Sequence, residues 1–156
     1  MDLKQLYQDI ILEHGKSPRN FGRCKKHTHE AKGYNPLCGD KVQIFLNLNK
    51  EKKVENLTFE GSGCAISMAS TSIMTELVKG KSLETAKKIV FDFLDMIKNT
   101  QKIKSEELDE DQKTTIMSLS GVKQYPMRVK CATLGWHTLN SAMLEKKEEV
   151  NTEAID

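Results

Sequence analysis

Residues 42–77, VQIFLNLNKEKKVENLTFEGSGCAISMASTSIMTEL, change their hydrophobic period once, and that change decides the fold class. Val42, Ile44, Leu46 and Leu48 alternate with Gln43, Phe45 and Asn47, the two-residue repeat of a half-buried strand. The polar run 49–53 makes a turn and Leu57 and Phe59 resume the alternation, so the segment reads as an antiparallel hairpin. After Gly61 and Gly63 the spacing lengthens: Ile66, Ala69, Ile73 and Leu77 share one face of a helix that Gly80 terminates.

Toward the N-terminus, Asp2 opens a helix with Gln5 three residues on, as in a capping box, and Leu3, Leu6, Tyr7, Ile10 and Ile11 form its apolar face. Gly15, Pro18 and Gly22 break that pattern, so 15–34 reads as a loop closing with a short strand at 31–34. Toward the C-terminus, Ser82 caps a helix whose buried stripe is Leu83, Ala86, Val90, Phe93 and Ile97. Residues 98–107 are polar and aperiodic, and Asp109 caps a short helix reaching about Leu119. Pro126 breaks the chain, and Ala132, Trp136, Leu139 and Met143 mark a last helix. Helix, strands, then several helices imply an α+β fold with helices on one face of an antiparallel sheet. Residues 1–145 are expected to form a single domain and 146–156 a charged, frayed tail.

The 156 residues are 38% hydrophobic and 29% charged, enough for one core and incompatible with global disorder. A formal charge of +2 and 6% aromatics point away from nucleic acid. The N-terminal MDLKQLYQDIILEHGK has charges inside its apolar pattern, unlike a signal peptide. No window approaches the roughly 20 apolar residues of a membrane span. A cytoplasmic protein without a membrane partner is therefore expected. In that reducing compartment Cys24, Cys38, Cys64 and Cys131 suggest metal or thiol chemistry, not disulfides.

Three of these cysteines fall at element boundaries. Cys38 lies in NPLCGD before the first clear strand, Cys64 in GSGCAIS at a strand-to-helix turn, and Cys131 in RVKCATLGW near the start of the last helix. Glycines beside Cys38 and on both sides of Ser62 admit close backbone approach to a ligand. A helix N-terminus favours thiolate, the form that binds metal and attacks sulfur, which suits Cys64 and Cys131. Asp40 points to the same side as Cys38 if the strand begins at once. Three thiolates and a carboxylate would give a divalent ion a tetrahedral site with excess negative charge, which Arg128 and Lys130 stand near enough to offset. Three sulfurs favour zinc or iron–sulfur chemistry over magnesium or calcium.

None of the cysteines belongs to a CxxC pair, so spacing alone leaves three inert buried thiols as an equal alternative, with Asp40 a turn carboxylate. Cys24 with His27 and His29 suggests a second metal cluster, but a polar loop of unrelated residues is the preferred reading. His14, His137 and the methionines at 68, 74, 96, 117, 127 and 143 read as packing residues, and SEELDEDQ (105–112) as a solvated helix start.

Taken together, NPLCGD, GSGCAIS followed by MAST, and PMRVKCATLGW resemble the three cysteine motifs of the U-type (IscU/NifU N-terminal) iron–sulfur cluster assembly proteins. The resemblance runs from the first helix to about Leu144. It implies a small three-stranded antiparallel sheet with a packed helical layer, a metal site at Cys38, Asp40, Cys64 and Cys131, and a cysteine desulfurase (SufS-like) as partner. The scaffold branch of that family carries a histidine directly before its third cysteine, where this chain has Lys130, and the stretch 93–125 is longer, as in the SufU-like branch. That branch implies a zinc-dependent sulfurtransferase. Cys38 would receive persulfide sulfur for downstream iron–sulfur assembly proteins, and Arg128 would offset charge or hold Asp40. Two alternatives stand beside it: a scaffold that assembles an iron–sulfur cluster on the same cysteines, and a binding module with a purely structural zinc.

Overall fold

The computed structural model describes residues 2–99, 103 and 106–155. Helix α1 (Leu3–Lys16) precedes three strands, β1 (His29–Asn35), β2 (Asp40–Leu48) and β3 (Val54–Ser62). Then come α2 (Ala65–Val78), α3 (Leu83–Asn99), α4 (Glu110–Ser118), a 3-10 segment (Leu119–Gln124) and α5 (Pro126–Met143). The described chain closes with β4 (Val150–Asn151) and a 3-10 turn, Thr152–Ala154.

Strand β2 is flanked by antiparallel partners, with Asn35 of β1 opposite Asp40 and Ser62 of β3 opposite Lys41. Both registers bring the NPLC turn and the GSGC turn to the same end of the sheet. Helices α2 and α5 pack on the sheet and on each other, α1 rests on α2, and α3 rests on α5. The alternation read in β2 puts Ile44 and Leu46 into one core with Leu57, Phe59, Ile73, Phe93 and Trp136. Phe45 is buried as well, because the loop before β1 lays the Arg23 guanidinium 5.2 Å and the His27 ring 5.3 Å from its ring centre. Trp136 stacks on Phe93 at 4.0 Å and donates its indole N–H to Ser70 Oγ at 2.9 Å. At Gly135 a Cβ would run into Thr71, so α2 and α5 cross too closely there for any side chain.

Asp2 and Asp109 cap α1 and α4 as expected, the latter in a reciprocal box with Gln112. The remainder differs in three places. Among the described residues the sheet has four strands, because β4 runs parallel to β1 with Val150 opposite Gly33. This strand lies within the stretch expected to be a frayed tail, and the buried Thr152 just after it is held by a hydrogen bond to Asn35. Pro126 does not break the chain but begins α5, since an N–H is not needed in the first helical turn. Strand β1 starts two residues earlier than the motif suggested, drawn in by the hydrogen bond from Thr28 N–H to Leu46 O. The aperiodic segment read at 98–107 falls partly on 100–102 and 104–105, which lie outside the described residues.

The outer rim of β3 is also engaged. Phe59 N–H donates to Asn20 O at 3.1 Å, Gly22 N–H to Phe59 O at 2.8 Å, and Val54 N–H to Lys81 O at 2.8 Å.

Candidate metal centre

The sheet end where the two turns meet is also where α5 passes. Cys38 sits in the turn between β1 and β2, Asp40 opens β2, Cys64 precedes α2, and Cys131 comes from the second turn of α5. Gly63 has φ +154, and a Cβ there would collide with the Asp40 carboxylate, so this turn requires glycine.

Cys38 Sγ and Cys131 Sγ are 3.2 Å apart, and with an Asp40 oxygen they form a group whose ligand atoms all lie within 4.8 Å of one another. Cys64 Sγ lies 3.9 Å from Asp40 Oδ2 but outside that mutual grouping. Asp40 and Cys131 are wholly buried, whereas Cys38 and Cys64 are partly exposed. Asp40 Oδ1 accepts the Cys64 N–H at 2.8 Å and Oδ2 accepts the Asn35 amide at 3.1 Å. The same Asn35 nitrogen reaches Cys131 Sγ at 3.5 Å. A tetrahedral ion bound by thiolates and a carboxylate sets its ligand atoms about 3.5–3.8 Å apart. The 3.2 Å Cys38–Cys131 and 3.9 Å Cys64–Asp40 separations bracket that range, so Cys38, Asp40 and Cys131 suit such an ion, and Cys64 would have to move toward them to complete a tetrahedron.

Charge is distributed unevenly among the thiols. Cys64 is drawn down to about 6, chiefly by the neighbouring Cys131 thiol, with the Ser67 and Ile66 amides of α2 assisting. Cys131 is pushed up by the neighbouring Cys64 and by its burial, with its S–H directed at Cys38. This corrects the expectation of a helix-activated thiolate at Cys131: it is the sixth residue of α5, beyond the unpaired first-turn amides. Arg128 is exposed, and its guanidinium is held more firmly charged by the neighbouring Cys131, Cys64 and Cys38. It faces the thiols; Asp40 is held by Asn35 and the Cys64 amide, with no ion pair to Arg128 among the described residues.

Lys130, the residue directly before Cys131, turns to Glu153 at 2.8 Å. Cys24 is buried and accepts from Asn56, His27 lies on Phe45, and His29 faces Glu145. Among the described residues these three form no metal-ligating group. The reading of the sequence overlooked Asn35 and Thr152. Asn35 heads the NPLCGD motif, a signal that was available; Thr152 had none.

The family described as the NifU-like N terminal domain matches residues 6–145. The chain is 38% identical over 146 residues to the zinc-dependent sulfurtransferase SufU of Bacillus subtilis strain 168, covering 94% of this chain and 95% of that one. It is 35% identical over 141 residues to the iron–sulfur cluster assembly scaffold protein IscU of Streptococcus pyogenes serotype M1, covering 90% and 84%. A crystal structure of a candidate iron–sulfur cluster assembly scaffold for the SUF system, from Fervidobacterium islandicum AW-1, superposes with a TM-score of 0.77 at 32% identity, covering 89% of this chain and 97% of that one.

Proposed function

Because this chain belongs to the NifU-like N terminal domain family, we propose that it holds zinc through Cys38, Asp40, Cys64 and Cys131 and accepts persulfide sulfur on Cys38 from a SufS-like cysteine desulfurase. The observation that carries this reading is the 3.2 Å approach of a partly exposed Cys38 to the buried Cys131, beside the buried Asp40. Similarity to a zinc-dependent sulfurtransferase supports both the metal and the transfer. A purely structural zinc fits less well, since such sites are closed by cysteine and histidine.

When bound, zinc keeps its thiol ligands deprotonated at neutral pH. Asp40 is fixed through both oxygens, while Cys38 rides on a turn that a partner can reach. The Cys38 thiolate attacks the outer sulfur of the desulfurase persulfide. That persulfide's S–S bond breaks, a new S–S bond forms on Cys38, and the desulfurase cysteine leaves as thiolate, so no oxidant is consumed. Arg128 offsets the negative charge of the thiols throughout. The sulfur then passes to downstream iron–sulfur assembly proteins. Action in the cytoplasm belongs to the same reading, because a reducing compartment preserves the four free thiols. No helix of the described residues is long and apolar enough to cross a membrane.

A second reading, a scaffold for cluster assembly, draws on the similarity to the streptococcal scaffold protein. Against it, the position before the third cysteine is a lysine engaged with Glu153, not a further ligand. Elemental analysis combined with desulfurase turnover tests the choice. About one zinc per chain, turnover stimulated by wild type, and no stimulation by Asp40→Ala or Cys38→Ala are expected. Zinc-free protein that takes up iron and sulfide under anaerobic handling would establish the scaffold instead, and intact acceptance by Cys38→Ala would remove Cys38 as the acceptor.

A further inference from the structure

Behind the ligands runs a line of contacts with no part in the chemistry above. The Asn35 side chain is wholly buried, and its two ends have the same shape but opposite hydrogen-bonding character. Its nitrogen donates to Asp40 Oδ2 at 3.1 Å and to Cys131 Sγ at 3.5 Å, both groups that bear charge when they bind metal. Its oxygen accepts the Thr152 hydroxyl at 2.9 Å, from a residue 117 positions along the chain. A reversed amide would set oxygen against carboxylate, and the Thr152 donor holds the productive orientation. Thr152 is itself placed by the pairing of β4 on β1 and by the Lys130–Glu153 ion pair at 2.8 Å.

We propose that Asn35 and Thr152 are positioning residues of the metal centre, and that the C-terminal β4 segment is its outer support. This rests on the zinc reading above. The Asn35 amide, aimed at Asp40 and Cys131 together, fixes the direction of the carboxylate and its position relative to the thiol. Loss of the Thr152 hydroxyl leaves the Asn35 carbonyl buried without its donor and frees the amide to turn.

Thr152→Val keeps the shape and removes the donor, and Thr152→Ser restores it. Zinc affinity, measured by competition with a chromophoric chelator, is expected to fall about tenfold or more in Thr152→Val and to return in Thr152→Ser. The cobalt(II)-substituted protein should show a shifted ligand-field spectrum in the valine variant only, while the metal-free variants keep the wild-type circular dichroism. Asn35→Asp, which turns the donors into a third buried acceptor, should weaken zinc as well. Wild-type affinity and cobalt spectrum in Thr152→Val overturn the proposal, as does equal weakening in the serine variant. Should the valine variant not fold, wild-type zinc affinity in Asn35→Asp overturns it. Wild-type protein that binds neither ion overturns the zinc reading and this one with it, whereas a zinc-binding wild type with unaffected variants overturns the positioning role alone.

Discussion

Among the residues of the site, the thiols differ more than their shared motif status suggests. Cys64 is favoured as thiolate by the neighbouring Cys131 thiol and the first amides of α2, and Cys131 keeps its proton. In metal-free protein, iodoacetamide should therefore alkylate Cys64 along a titration with a midpoint near 6, reached well before Cys131 reacts at all. Peptide mapping across a pH series reads this directly, and equal reactivity of the two at neutral pH would contradict this division of charge. The identity of the candidate ligands was legible in the sequence, because glycines beside cysteines leave a local mark. The division of labour among them was not. It depends on which side chain reaches which, and Cys131 lies 67 positions from Cys64.

Among the elements, those with a strong internal period were readable and those defined by a distant partner were not. The alternation of β2 and the spacing of α2 each follow from one buried face, so a short window contains the signal. Strand β4 is two residues long and exists only because β1 offers an edge and Asn35 offers an acceptor. The start of α5 was misread because proline has opposite meanings inside a helix and at its first turn. The crossing of α2 and α5 supplies a test at this scale. Gly135→Ala places a methyl group against Thr71 and should destabilise the protein by about 1–3 kcal/mol through overpacking. Chemical denaturation followed by the fluorescence of Trp136 measures this, since the only tryptophan of the chain sits next to the glycine on α5 and is fully buried. An unchanged midpoint would mean that the two helices can separate without cost.

For the molecule as a whole, acid stability should be set partly by two histidines remote from the metal ligands. His14 is packed against Ser72, and burial lowers its pKa, as it does that of His137. The folded state then resists protons that the unfolded chain accepts near pH 6.5. Their effect is absent well above pH 7, and stability falls as pH drops through 6.5 toward the lowered folded values. Thermal melts between pH 7.5 and 5 should show this decline in metal-free protein, and His14→Gln should flatten it; a slope unchanged by that substitution would exclude His14 as a source. The rims of the sheet carry a different consequence. Parallel pairing with β4 engages β1 at Gly33 and Tyr34, and the hydrogen bonds to Asn20, Gly22 and Lys81 engage β3 at Val54 and Phe59, so these stretches are not bare templates for another strand. A visiting protein finds the backbone of those stretches already taken. Side chains around the turns offer a different grip, since Leu37 and Met127 stand more than half exposed there, and recognition through them can change by point substitution while the backbone of the sheet stays as it is.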